Sequence, residues 1–318
     1  MSVMVKCPRS RGRRIRRTSL QFTYYYLMMA VGLLYILIYK YVPMAGVLIA
    51  FKDVTPFMNL QKMFTAPWVG LKHFNAFFGS MFFWNTLRNT LMISLYNLIF
   101  GFPAPILFAL LINEVRNRKY QRIVQSVSYL PHFLSLVIVS GMVRNLFSPT
   151  WGLVNHILLM LGREEPIFFF GSNTYIRGLI VGSNIWQEVG WGSIIYLAAI
   201  SGVDQEMYEA ATIDGANRFQ KMRYITLPSI MFTITIMFIL QCGRILDAGF
   251  DRVFLLYSPA TYQNADIIDT FAYRASFASA SMRYSYSTAV GLFKSVFSLI
   301  LVTLVNWSTK KLGQEGLW

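Results

Sequence analysis

Residues 207–228 read MYEAATIDGANRFQKMRYITLP, a polar segment between two apolar runs at about 176–200 and about 229–248. Its reading decides the fold, because a hydrocarbon core about 30 Å thick takes roughly 20 apolar residues per helical crossing, and both flanks are that long. Asp204, just upstream, is a good N-cap for a short helix reaching Ile213, and Asp214-Gly215 is a turn signal. A second short helix can start at Ala216, and Pro228 suits the first turn of the following span, where its missing N–H forfeits no intrahelical bond. Ala210 and Ala211 give the first helix a shallow face, and Gly215 permits close backbone approach or a positive φ. Such a face fits a groove in another protein. It also fits an ordinary amphipathic connector.

Outward from this segment the whole chain has the composition of an integral membrane protein. Of 318 residues 55% are hydrophobic and 14% charged, with mean hydropathy +0.46, whereas a soluble domain spends about a quarter of its residues on charge. Six spans are expected, at about Tyr24–Val42, Thr90–Ile112, Ile123–Phe147, Ile176–Ile200, Ser229–Ala248 and Thr288–Trp307. Seven basic residues (Lys6, Arg9, Arg11, Arg13, Arg14, Arg16, Arg17) precede the first, with no acidic residue among them, which places the N-terminus in the cytoplasm. An even number of crossings returns the C-terminus to the same side. Arg116, Arg118, Lys119 and Arg122 after the second span, Arg218, Lys221 and Arg223 in the opening segment, and Lys310 and Lys311 near the end all fall inside on this topology. The chain divides into a basic cytoplasmic tail (1–23), a first helix with its external segment (24–85), a transmembrane domain (86–307) and a cytoplasmic C-terminal tail (308–318).

The net charge of +15 does not indicate nucleic acid, because the basic residues gather at the ends of apolar runs instead of interleaving with stacking aromatics. Anionic lipid is the expected contact of the tail. A cleaved signal peptide is not expected, since the first apolar run is long and lacks a small-x-small site. Cys7 and Cys242 make no disulfide framework or metal cluster. No phosphate-binding glycine loop occurs, and His73, His132 and His156 are scattered. No catalytic group, metal or bound cofactor is expected.

Ionisable groups inside spans cost about 3 kcal/mol or more and usually face a protein interior or a wet cavity. The fourth span offers Asn184, Gln187 and Glu188 beside Trp186 and Trp191; the fifth offers Gln241, Arg244 and Asp247. Glu188 and Arg244 could pair across the bundle, or Arg244 and Asp247 along one helix face. These seven (Asn184, Gln187, Glu188, Trp191, Gln241, Arg244, Asp247) suit a polar pathway for a sugar, whose hydroxyls need donors and acceptors; equally they suit salt bridges that fix packing. Arg144 and Asn145 are expected to snorkel to the interface. The external segments, about 43–89 and about 249–287, carry Phe74, Phe77, Phe78, Phe82, Phe83 and Trp84, expected as interfacial anchors.

Glu209-Ala210-Ala211, three residues, Gly215, nine residues, Ile225, one residue and Leu227-Pro228 is the EAA motif of binding-protein-dependent ABC importer permeases. The chain resembles their maltose-type carbohydrate family over about 82–307, and within it the subgroup for complex oligosaccharides or polysaccharide fragments. The resemblance implies an all-α, type I importer (MetI-like) permease in a bacterial cell membrane, with ATP and Mg²⁺ bound by a separate ATPase. Implied partners are a second, homologous permease forming a heterodimer, two cytoplasmic ATPases, an extracellular sugar-binding protein and the carbohydrate. Glu209, Ala210, Ala211, Asp214 and Gly215 would contact the ATPase, and Leu227 and Pro228 would shape the return into the membrane. Two other classes remain beside it: an ion-coupled carrier with a proton or sodium site at Glu188, and a scaffold recruiting a cytoplasmic partner.

Overall fold

The computed structural model describes residues 11–54, 58, 63, 65–278 and 283–311. Lys6, Cys7 and Arg9 of the basic tail and the last seven positions of the sequence lie outside them. Among the described residues every regular element is a helix, apart from one antiparallel bridge between Lys52 and Trp68. Three helical stretches are long and apolar enough to cross a membrane: Tyr25–Phe51 (27 residues), Phe83–Asn113 (31 residues) and Tyr284–Lys311 (28 residues). Two further stretches qualify only as bent pairs.

Helix α1 (Arg11–Ile36) continues through a π turn (Leu37–Tyr41) into a 3₁₀ segment (Ala45–Phe51), beyond the Val42 limit expected from the sequence. Only 6% of its most apolar window is buried, so this helix is apolar on every side and leaves nearly all of itself outside the bundle. Its outer end is fixed by the Lys52–Trp68 bridge and by Lys72 Nζ, which donates to Asp53 Oδ2 at 2.7 Å. That bond holds the Asp53 carboxyl below its ordinary pKa. Helix α2 (Lys72–Phe78) follows.

The second stretch joins α3 (Phe83–Tyr96) to α4 (Pro103–Asn113) through a π turn at Asn97–Gly101. The turn stands immediately before Pro103, whose missing N–H and ring do not fit a regular helix interior. The third expected span is not straight. It consists of α5 (Arg118–Tyr129), a 3₁₀ turn (Leu130–Phe133) and α6 (Leu136–Leu146), with 102° between the two arms. Pro131 ends the first arm, and Ser135, in extended backbone, accepts from Ile138 N–H at 3.3 Å to start the second. After α7 (Leu153–Met160), α8 runs unbroken for 26 residues, Ile176–Ser201. Then come α9 (Gln205–Ile213), α10 (Arg218–Lys221) and α11 (Met231–Gly243), the last entered through a 62° bend beside Pro228.

Helix α11 stops at Gly243, short of the expected Ala248, and Arg244–Asp247 form turns beyond it. The segment after it packs into the protein core. Gly249, at φ +79°, turns the chain into α12 (Phe250–Leu256), whose Val253 and Leu256 are fully buried in a core shared with Ile93 of α3, Val139 of α6 and Ile180 of α8. Helix α13 (Ile268–Tyr273) likewise sinks Ile268 into a cluster with Phe77, Phe83, Tyr286 and Val290. Two of the six rings expected as membrane anchors, Phe77 and Phe83, are therefore core residues; Phe78, Phe82 and Trp84 remain exposed. Arg144 Nη2 donates to Leu255 O at 2.6 Å and its guanidinium lies over Phe170. The final helix, α14 (Tyr284–Lys311), contains the sixth expected span.

Candidate functional site

The EAA segment folds as its capping residues dictate. Asp204 accepts from Glu206 N–H at 3.0 Å and opens α9. The helix closes in a Schellman turn: Ala216 N–H donates to Ala211 O at 2.8 Å and Gly215 N–H to Thr212 O at 3.1 Å, with Gly215 at φ +77°. Asn217 and Gln220 then form a reciprocal capping box for α10, which starts at Arg218, two residues later than Ala216. Lys221 Nζ donates to Thr212 Oγ1 at 2.6 Å across the two short helices, and Tyr208 and Thr226 share a hydroxyl bond of 2.8 Å. Glu209, Ala210, Asp214, Gly215 and Pro228 are exposed; Ala211 and Leu227 are half-buried. Ile213 (88%), Phe219 (63%) and Tyr224 (70%) project from the same loop, an apolar content that water does not favour.

The loop is continuous with the polar centre of the bundle, because α8 leads into α9 through Gly202–Asp204 alone. Midway along α8, three of the expected pathway residues meet the break in the third span. Gln187, buried, donates from Nε2 to Pro131 O (3.3 Å), which also accepts from Leu134 N–H, and to Leu134 O (3.2 Å), two carbonyls of the 102° break. Glu188 Oε2 lies 2.8 Å from His132 Nδ1, and the His132 ring stacks on Trp191 at 4.5 Å. One further turn along, Gly190 lets the helices touch: a Cβ there would stand 2.0 Å from Ser128 O. Gln187, Glu188 and Trp191 thus clasp the break. Neither ion pair expected for Glu188 and Arg244 forms; Asp247 instead meets Lys294 at 3.7 Å, and Lys294 bonds Asp269 at 2.6 Å.

The other four expected residues, Asn184, Gln241, Arg244 and Asp247, line one cavity of about 120 Å³ between α3, α8 and the end of α11. Asn184 donates to Asn97 Oδ1 at 3.1 Å, at the π turn of the second stretch. Ser94 lines the same cavity with a buried Oγ that has no partner. Its far wall is Arg252, 7% exposed, which donates from Nη2 to Gln187 Oε1 at 2.7 Å. Arg252, His132 and Gly190 were missed from sequence. A Pro-His pair in an apolar run was the available signal for the first break, but a contact from α12 to α8 spans 65 positions of sequence.

Comparisons with known proteins agree with this architecture. Residues 101–314 match the model of a family described as binding-protein-dependent transport system inner membrane component. The chain is 46% identical to Protein LplB of Bacillus subtilis over 92% of this chain and 90% of the relative. It is 43% identical to the polygalacturonan/rhamnogalacturonan transport system permease protein YteP of the same organism, over 98% and 95%. It superposes with TM-score 0.84 and 39% identity on a chain of a bacterial ABC transporter that imports the acidic polysaccharide alginate, covering 94% of this chain and 99% of that one. A second crystal structure, of a bacterial alginate transporter with an alginate-pentasaccharide-bound periplasmic protein, gives 0.85 and 38%, covering 96% and 100%.

Proposed function

Because this chain belongs to the binding-protein-dependent inner membrane components, the permease subunits of ABC importers, we propose that it carries oligosaccharides or polysaccharide fragments inward and that residues 205–228 couple it to an ATPase. A permease of this family is a transport component and not an enzyme. The carbohydrate reading draws on the relatives, a polygalacturonan/rhamnogalacturonan permease and an alginate importer. Membership also sets aside the ion-coupled carrier and the scaffold; Glu188, the ion site of the former, is bonded to His132 away from the cavity.

The observation that carries the coupling proposal is the EAA spacing folded as two capped helices joined at Gly215, with apolar side chains left exposed. In this reading α9 seats in a cleft of one of two cytoplasmic ATPases, which alone bind ATP and Mg²⁺, and its displacement reaches α8 through three residues. Six spans with both termini cytoplasmic complete the topology: the three long stretches, the two bent pairs and α8. Its polar side chains turn inward to the break and the cavity. A second permease would cover the exposed side of Gln241, Arg244 and Asp247, and an extracellular binding protein would deliver the sugar. The test is co-purification of the ATPase and sugar uptake with Gly215→Trp, whose bulk blocks docking at an exposed position. Normal ATPase capture and normal uptake with this variant would rule the loop out as the coupling element.

A further inference from the structure

Helix α5 descends from one end of α8 to its middle. At its head Gln121 Nε2 donates to Ile112 O at 3.3 Å, near the end of α4, and Arg218 Nη1 reaches Glu114 O at 3.4 Å. At its foot Ser128 lies against Gly190 of α8, about 16 Å from Ser201 at 1.5 Å per residue, or half of a hydrocarbon core about 30 Å thick. The side turned away from the bundle is uncovered. Tyr120, Ile123, Val127 and Leu130 are between 58% and 64% exposed, and steps of three and four residues put them on one face. From Tyr120 to Leu130 that stripe runs about 15 Å, the depth of one leaflet. Arg116, Arg118, Lys119 and Arg122 stand exposed at its head. None of the four pairs with a carboxylate among the described residues, and Arg118 Nη1 bonds the neutral Gln121 Oε1 at 3.3 Å. Beyond Arg122 the exposed side chains carry no charge: Ile123, Ser126, Val127, Leu130 and Phe133. Orientation of the chain needs only a number of basic residues on one side; it does not require them to head an uncovered apolar stripe one leaflet deep.

We propose that the exposed face of α5 binds an anionic phospholipid of the phosphatidylglycerol type, its phosphate held by Arg118, Lys119 and Arg122 and an acyl chain laid along Tyr120, Ile123, Val127 and Leu130. A charged head joined to an apolar tail about one leaflet long matches the order of side chains along the helix. Each basic residue close to an anionic lipid surface is worth about fivefold in binding, and guanidinium groups add charge-assisted hydrogen bonds to phosphate oxygens. A phosphatidylcholine headgroup carries its own ammonium and gains little of this. The proposal uses the membrane location of the chain and neither the sugar nor the ATPase reading.

The test is photolabelling of the assembled importer in phosphatidylcholine nanodiscs doped with phosphatidylglycerol that carries a diazirine in one acyl chain, with diazirine-bearing phosphatidylcholine at the same dose as the reference. Labelled peptide from residues 116–133 is quantified for each lipid. Both leaflets of the disc have the same composition, so the result does not depend on which side α5 faces. The wild type should favour phosphatidylglycerol about tenfold or more at this peptide. The combined variant Arg118→Gln, Lys119→Gln and Arg122→Gln, all at exposed positions, should bring the two lipids to nearly equal labelling while the ATPase still co-purifies; Arg118→Lys with Arg122→Lys should keep most of the preference. Equal labelling of the wild type by the two lipids overturns the proposal, as does an unchanged preference in the combined variant. Labelling by neither lipid overturns it as well, since the stripe is then covered by protein. Loss of the ATPase from the combined variant with the lipid preference intact assigns the cations to the ATPase and overturns it too.

Discussion

Arg252 Nη2 stands 2.7 Å from Gln187 Oε1, and the same Gln187 amide donates to the carbonyls of Pro131 and Leu134. One buried side chain therefore joins the segment after α11 to the break between α5 and α6. Gln187→Leu removes the side-chain donor to Leu134 O, one of two donors to Pro131 O, and the shorter of the two bonds that hold Arg252, which keeps only Ser183 Oγ at 3.4 Å. Each unmade buried bond costs about 1–3 kcal/mol, so the expected result is a clear loss of folded protein, read as detergent-solubilised yield and a lowered melting midpoint.

Gly215 separates two roles that its position confounds. At φ +77° an alanine is strained, yet a Cβ would meet nothing within 4 Å. Gly215→Ala should weaken the turn by about 1 kcal/mol, while Gly215→Asn, which tolerates the left-handed region, should retain ATPase capture. Co-purification of the ATPase, compared across Ala, Asn and Trp, ranks backbone strain against bulk at the docking face.

Gly190 is the opposite case, since its φ is unremarkable and its surroundings are closed. Gly190→Ala would drive a methyl into the backbone carbonyl of Ser128, and overpacking of this kind costs about 1–3 kcal/mol or more. Reduced membrane yield is the expected outcome. Gly178→Ala, where a Cβ meets nothing within 4 Å, is the control and should leave yield unchanged.

Lys294 lies between Asp269 at 2.6 Å and Asp247 at 3.7 Å. Lys294→Met leaves two carboxylates unpaired, of which Asp269 is the less exposed, and breaking such a pair is more damaging than removing both partners. The single variant should lower thermal stability, and Lys294→Met with Asp269→Asn should recover a substantial part of it.

The long helical stretches and the two capped helices of residues 205–221 were legible because their signals are local. Apolar run length placed α8 to within a residue at its C-terminal end, and Asp204 and Gly215 marked the ends of α9 as they stand. The break at Leu130–Phe133 was also written locally, in Pro131 and Ser135, but an unbroken apolar run masked it. Partner choice was not legible. Glu188, Arg244 and Asp247 were matched by reach along or between helices, whereas their environment depends on His132 and Lys294, which tertiary packing brings from 56 and 47 positions away. The segment after Gly249 misled for a related reason: its aromatics and polar residues read as surface until Arg144, Arg177 and Asn89 supply donors for its carbonyls.

Helix α8 is pinned by polar bonds at one end, where Arg177 bonds Asn264 and Asn89, and held by apolar packing alone near Ser201, where Tyr196 and Ile200 lie against Ile106, Leu110 and Ile230. It can be treated as a lever with its fulcrum at Arg177. At 1.5 Å per residue the arm is about 36 Å long and Asn184 sits roughly 10 Å from the fulcrum. A sideways shift at the Ser201 end would then reach the cavity at roughly a quarter of its size and the Glu188 turn at nearly half. The gearing favours the break over the cavity: a push on α9 large enough to reopen the clasp at Pro131 would move the Asn184 wall by only a fraction of that distance.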